Sequence, residues 1–187
     1  DSLVGDGELA GSRAEAGGEW QAVRGRLRRS PHGASCTDVD DVAVLRPAAA
    51  SALVHVLANA TASDGTAVGI VWRFADPANH WQFTIGPEGA EIALRHDGAS
   101  IVVGSDPACR LVAGARRALQ VLDDGREIRC LVDGTLVFGR PFVDGRLATG
   151  TGVGVCSRTG HAPAALLRFE AHPRECRLPP ALDLGAP

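Results

Sequence analysis

The stretch Gly69-Ile-Val-Trp-Arg-Phe-Ala-Asp-Pro-Ala-Asn-His-Trp-Gln-Phe-Thr-Ile-Gly86 limits what this chain can fold into more than any other. It reads as two strands joined by a turn. With Asp76-Pro77-Ala78-Asn79 as the loop, Ala75 faces His80, Phe74 faces Trp81, Arg73 faces Gln82 and Trp72 faces Phe83. Directly opposed residues of an antiparallel pair share a face. Trp72, Phe74, Trp81 and Phe83 therefore fall on one side, and Arg73, His80, Gln82 and Thr84 on the other. A slip of one residue would mix the two sets. The pattern predicts a hairpin with an aromatic core side and a polar outer side.

The rest of the chain repeats this grammar. Alternating or apolar runs recur between turn signals, and helical periodicity is nearly missing. The best helix candidate, Ala48–Leu53 behind Pro47, is short and runs into Leu53-Val-His-Val-Leu57, which reads better as a strand. Residues 118–138 carry Asp124-Gly125 and Asp133-Gly134, dipeptides suited to type I′ turns. Two-residue turns there place Val121 opposite Ile128 and Leu119 opposite Cys130 in a three-stranded meander. Gly86-Pro-Glu-Gly89 and Asp97-Gly98 mark further turns. Strands are expected near 20–28, 41–46, 52–60, 67–75, 80–85, 90–96, 99–103, 117–122, 127–132, 135–139, 151–157 and 165–172. No linker separates them, which predicts one two-sheet domain over 1–172, followed by a Pro- and Leu-rich extended tail over 173–187.

Composition narrows the function classes. The 187 residues are 45% hydrophobic and 22% charged, ordinary for a globular domain. A net charge of −3 argues against a phosphate-neutralising, nucleic-acid-binding surface. No apolar run approaches the ~18 residues of a membrane-spanning helix. The chain starts at Asp1 without Met, as a processed or excised polypeptide does, and a signal peptide or domain upstream is expected. Among five cysteines, Cys130 and Cys156 sit in apolar strand patterns as small buried groups. Cys36, Cys109 and Cys176 lie in loop-like contexts, where one disulfide is expected, in keeping with an oxidising compartment. Five reduced, structural thiols are the alternative.

Several segments in order resemble the concanavalin A-like superfamily, the laminin G and family 16 glucanase-like jelly rolls of bacterial secreted type. These are Asp1-Ser-Leu-Val-Gly-Asp-Gly-Glu-Leu-Ala-Gly11 with Gly17-Gly-Glu-Trp20 and Gly25, then Gly69–Trp81, the meander at 118–138, Gly150-Thr-Gly-Val-Gly-Val155 and Leu167-Arg-Phe-Glu170. The resemblance implies an all-β, two-sheet antiparallel jelly-roll sandwich and a sugar-binding tendency in a secreted or cell-surface protein. It departs from the family at Leu3, where Phe is common, and at His80-Trp81, where Tyr is. The E-x-D-x-E strand of the family 16 hydrolases is absent, since the eight glutamates (8, 15, 19, 88, 91, 127, 170, 175) never show that spacing. A retaining glycosidase needs two carboxyls about 5–5.5 Å apart. A non-catalytic carbohydrate-recognition module is therefore expected, with a polysaccharide or glycan as partner. A glycoside-processing domain and an assembly domain of a longer protein are the alternatives.

Arg73, His80, Gln82 and Thr84 are the candidate ligand-binding row, because planar polar side chains match the fixed donors and acceptors of sugars. The same row also fits the solvent side of a half-exposed sheet. Asp38, Asp40 and Asp41 offer oxygens to a Ca²⁺, yet lack the spacing of a dedicated loop and equally suit a solvated turn. Arg24, Arg26 and Arg28 alternate along one expected strand, as an anion grip or a charged edge guard. The histidines show no paired metal spacing, no serine has a nucleophile elbow, and Gly150-Thr-Gly-Val-Gly154 reads as strand-entry glycine.

Overall fold

The computed structural model describes residues 1–15, 18–36, 41–60, 66–157 and 164–174, with the side chains of Cys36, Asp41 and Ala60 left aside. Among these residues there is no helix and there are sixteen strands. They are β1 (Gly7–Glu8), β2 (Gln21–Arg24), β3 (Leu27–Ser30), β4 (Gly33–Cys36), β5 (Asp41–Leu45), β6 (Ser51–Ala60), β7 (Val68–Asp76) and β8 (Asn79–Gly86). There follow β9 (Gly89–His96), β10 (Ala99–Asp106), β11 (Arg116–Asp123), β12 (Glu127–Val132), β13 (Thr135–Leu136), β14 (Phe142–Val143), β15 (Gly152–Ser157) and β16 (Ala164–Pro173).

Two antiparallel sheets result. One has the order β1-β3-β4-β16-β6-β11-β12-β13, with β14 also on β12; the other runs β10-β9-β8-β7-β15-β5-β2. Their facing sides share one core, in which Trp72, Trp81 and Phe83 of the second sheet meet Val54, Val121 and Phe169 of the first. Trp20 is also fully buried there, 5.1 Å from Phe169 between ring centroids, and its indole N–H donates to Asp1 Oδ2 at 2.7 Å. Burying such rings stabilises a two-sheet stack more than any other side chains, at roughly 25 cal/mol per Å² of apolar area.

The turn dipeptides behave as their chemistry dictates at two of three places. Asp97-Gly98 and Asp133-Gly134 both have positive φ (51° and 81°; 51° and 76°), as a type I′ turn requires. Asp124-Gly125 does not form one. Asp124 Oδ1 instead accepts the backbone N–H groups of Arg126 and Glu127, and Asp123 Oδ1 accepts that of Gly125. This widens the loop, so that Val121 pairs Cys130 and Leu119 pairs Val132, two residues from the expected register. An even shift leaves every side chain on its expected face.

The opening hairpin differs in a way that matters. Its tip keeps the expected register, with Asp76 opposite Asn79 around Pro77-Ala78, but a bulge over residues 73–75 then moves the pairing to Trp72↔Trp81 and Ile70↔Phe83. At the bulge Arg73 takes φ 47°, a left-handed conformation costing roughly 1–2 kcal/mol for a residue with a Cβ. The chain leading into β15 comes so close that a Cβ on Gly150 would lie 2.5 Å from Arg73 O. Beyond the bulge the alternation inverts. Arg73 points into the sandwich at 1% exposure, and Phe74 turns to the outer side with Val42, Val44, Val71 and Cys156.

Other expectations need correction too. The segment expected at 20–28 breaks at Gly25, which has φ 61°, and its halves join different sheets, so Arg24, Arg26 and Arg28 share no strand face. Cys109 is a free thiol and takes part in no disulfide; Cys36 and Cys176 lie outside the described side chains. Cys130 and Cys156 are buried thiols outside any disulfide, as their strand patterns imply. The final strand reaches Pro173, and the tail from 175 lies outside the described residues.

Candidate functional site

The outer side of the seven-stranded sheet is concave. A small cleft there takes lining residues from β2 (Val23, Arg24) at one edge and β10 (Ser100) at the other. In a flat sheet those edge strands would lie roughly 29 Å apart, six spacings of about 4.8 Å. The sheet must curl to bring them around one cavity. Gly154, in the middle of the face, permits this. A Cβ there would sit 2.1 Å from Ala43 O and 2.7 Å from Val44 Cα, so the adjacent backbone occupies the space of a side chain.

His80, Gln82 and Thr84 project from β8 into this cleft. Their shared face was legible from alternation, and the structure brings these three together. It does not place Arg73 with them. The bulge carries Arg73 to the opposite side, where Nε and Nη2 donate to the two oxygens of Asp123 at 2.7 Å each, and Nη1 donates to Asp144 O and Arg146 O at 2.7 and 2.8 Å. Asp123 lies at the end of β11, so this buried pair joins the two sheets. Arg174 Nη2 approaches the same carboxylate at 2.9 Å.

His80 is 3% exposed and fixed at both ring nitrogens. Asp76 O, 3.3 Å from Nδ1, can only accept, so Nδ1 carries the proton. Nε2 is then the acceptor for the Gln82 side-chain amide at 3.1 Å. Burial holds the His80 pKa below its ordinary value, and the cations of Arg95 and Arg24 add to this against the hydrogen bond that the ring donates to Asp76 O. The neutral ring orients Gln82, leaving the amide oxygen of this half-buried side chain as an acceptor. Phe74 lies 5.4 Å from His80 between ring centroids, under the Arg46 guanidinium at 5.1 Å, and is 1% exposed. It supports the histidine from below and offers no open stacking surface.

Arg95 and Ser100 complete the cleft, and sequence reasoning passed over both. Arg95 pairs with His80 on one side and Ser100 on the other. The signal was available, since the turns at Pro87-Glu88 and Asp97-Gly98 together fix which residues of β9 and β10 lie beside His80. Of the calcium candidates, Asp38 and Asp40 lie outside the described residues and Asp41 opens β5. Among the described residues no group of three potential metal ligands forms, and no helix is long and apolar enough to cross a membrane.

No protein-family model matches the chain, and no curated protein matches it. Solved structures do resemble it. The carbohydrate binding module CBM66 from Bacillus subtilis superposes with a TM-score of 0.68 at 14% identity, over 88% of this chain and 96% of that one. A Bacillus licheniformis beta-glucanase gives 0.60 at 10% identity, over 88% and 96%. Sheep galectin-11 in complex with glycerol gives 0.51 at 13%, over 84% and 99%. At these identities the likeness establishes architecture alone: the chain is an all-β, two-sheet jelly-roll sandwich.

Proposed function

We propose that this domain is a carbohydrate-recognition module of a secreted or cell-surface protein, and that the concave face of its seven-stranded sheet holds the sugar. One observation carries the reading. The cleft gathers polar groups on one sheet face, namely the Gln82 amide oriented by His80, the Arg95 guanidinium and the Ser100 hydroxyl, beside the small side chains of Cys156 and Ser157. Sugars are recognised by planar donors and acceptors held in place before the ligand arrives. The names of the structurally similar proteins, a carbohydrate binding module among them, support the same ligand class. Binding is favoured over hydrolysis because retaining cleavage needs two carboxyls about 5–5.5 Å apart. The described lining residues include no carboxylate.

A polysaccharide and glycan array tests this. The parent protein is expected to retain at least one glycan, and Gln82→Ala, at a half-buried surface position, to weaken that binding about tenfold, as loss of one good hydrogen bond does. Absence of binding by the parent, or binding unchanged in Gln82→Ala, overturns the assignment.

A further inference from the structure

Charge on the two outer faces of the sandwich is organised differently. On the nine-stranded sheet, Arg117, Arg129 and Arg168 each hold a carboxylate at 2.5–2.6 Å, those of Asp133, Glu127 and Glu170. In the cleft of the seven-stranded sheet, Arg95 makes no hydrogen bond or ion pair with any described residue, although it is half-buried. Arg24 lines the same cleft from the opposite edge. Arg24, Arg95 and His80 thus line one cavity. Arg24 has an interaction of its own, so Arg95 is the guanidinium that matters, and two described acids of this face are otherwise engaged or outside the cavity. Asp76 is held by the Asn79 amide and the Ala78 N–H, and Glu91, opposite Thr84, does not line it.

A half-buried guanidinium without a carboxylate loses hydration and gains nothing from the protein in return. Its geometry, a planar fork, matches a carboxylate or sulfate group through two parallel hydrogen bonds. Resting on the reading that the cleft holds sugar, we infer that its ligand is an acidic saccharide, whose anionic group sits on Arg95 with Arg24 facing it across the cleft. The neutral Gln82 and Ser100 groups then take the hydroxyls of the same ring. Such selectivity comes from the cavity alone, because the protein as a whole carries a net charge of −3 and repels polyanions at long range.

Two matched pairs of polymers test the inference by titration calorimetry on the whole chain. They are polygalacturonate with its methyl ester, and dextran sulfate with dextran. Within each pair the sugar backbone is shared and the anionic group is what changes, so the pairs separate carboxylate from sulfate recognition. The acidic member of at least one pair is expected to bind about tenfold tighter than its neutral partner, which is the scale of one charge-assisted contact. Arg95→Gln is expected to abolish that preference, and Arg95→Lys to keep part of it. Arg140→Gln, at an exposed site outside the cleft, is expected to leave it unchanged. Raising salt should shrink the preference. Equal binding within both pairs, or a preference that survives Arg95→Gln in a folded variant, overturns the inference and leaves the sugar reading standing. Failure to bind any of the four also overturns it, and the broader array then decides whether the sugar reading survives.

Discussion

The hairpins β7–β8 and β11–β12 start from the same kind of sequence and absorb the same error differently. Each is an alternating run broken by a turn, and in each the pairing lies two residues from the simplest expectation. In β11–β12 the slack sits in the loop, where Asp123 and Asp124 spend their carboxylates on loop N–H groups, so Leu119, Val121, Ile128 and Cys130 all stay in the core. In β7–β8 the tip is tight and the slack moves into the strand. The bulge inverts the faces from Arg73 onwards. Alternation is thus a reliable guide to faces only up to the first irregularity, and a single left-handed residue is enough to exchange a core aromatic for an arginine.

The two hairpins are also tied together, since the bulge residue of one grips the last residue of β11 in the other. The largest expected effect breaks that tie. Arg73→Leu leaves Asp123 buried with one partner fewer and should cost about 3–5 kcal/mol in urea unfolding. Asp123→Leu should cost a similar amount. The double variant should lose less than the sum of the two, because neither charge then remains buried alone. If Arg73 instead lay on an unbroken outer face, its replacement would stay within about 0.5 kcal/mol. Such a result would return the two hairpins to equivalence.

A smaller effect comes from pH. Each hairpin is associated with one buried histidine, His80 beside the bulge and His55 directly opposite Gln120 of β11. Burial holds both pKa values below the ordinary 6.5. The unfolded chain therefore takes up more protons as pH falls through 6.5. The stability these groups contribute is complete above that pH and is lost progressively below it, down to their folded-state pKa values. His80 keeps a compensating hydrogen bond to Asp76 O, and His55, whose ring nitrogens have no hydrogen-bond partner, keeps a compensating attraction to Glu170. The acid-side loss should thus flatten in both His55→Phe and His80→Phe when thermal melts are compared between pH 7.5 and about 5.5. An unchanged slope in either variant would mean that its histidine does not carry the loss.

The smallest effect probes a turn where sequence and structure agree. Gly134 has φ 76° with open space where a Cβ would stand, so Gly134→Ala meets no clash and pays only for its left-handed backbone. Chemical denaturation should register about 1 kcal/mol.

Most strands were legible because Asp-Gly and Gly-Pro signals divide runs of clear alternation. Those missed were β1, β4 and β14. The residues of β4, Gly33-Ala-Ser-Cys36, carry no β-branched or aromatic signature, and the strand forms because β3 and β16 flank it. The site was half legible. His80, Gln82 and Thr84 follow from alternation within one strand. Arg95 follows from the turn that sets β9 beside β8, whereas Arg24 belongs to an edge strand that only the curled sheet brings near, and Arg73 was misplaced because strand spacing carries no mark of a bulge. The one hint lay far along the chain, in Gly150, whose missing side chain makes the bulge possible.

The Arg73–Asp123 pair also governs how the molecule opens. A sandwich held by apolar contacts alone can let one sheet fray while the other stays shut. Here parting the sheets at this point would strand two charges in a dry interior, so the bulge of β7 and the end of β11 must be released in one step. Amide hydrogens in β7 and β11 are thereby bound into a single cooperative unit and should exchange with solvent on a common time course, slower than those of the edge strands β10 and β2.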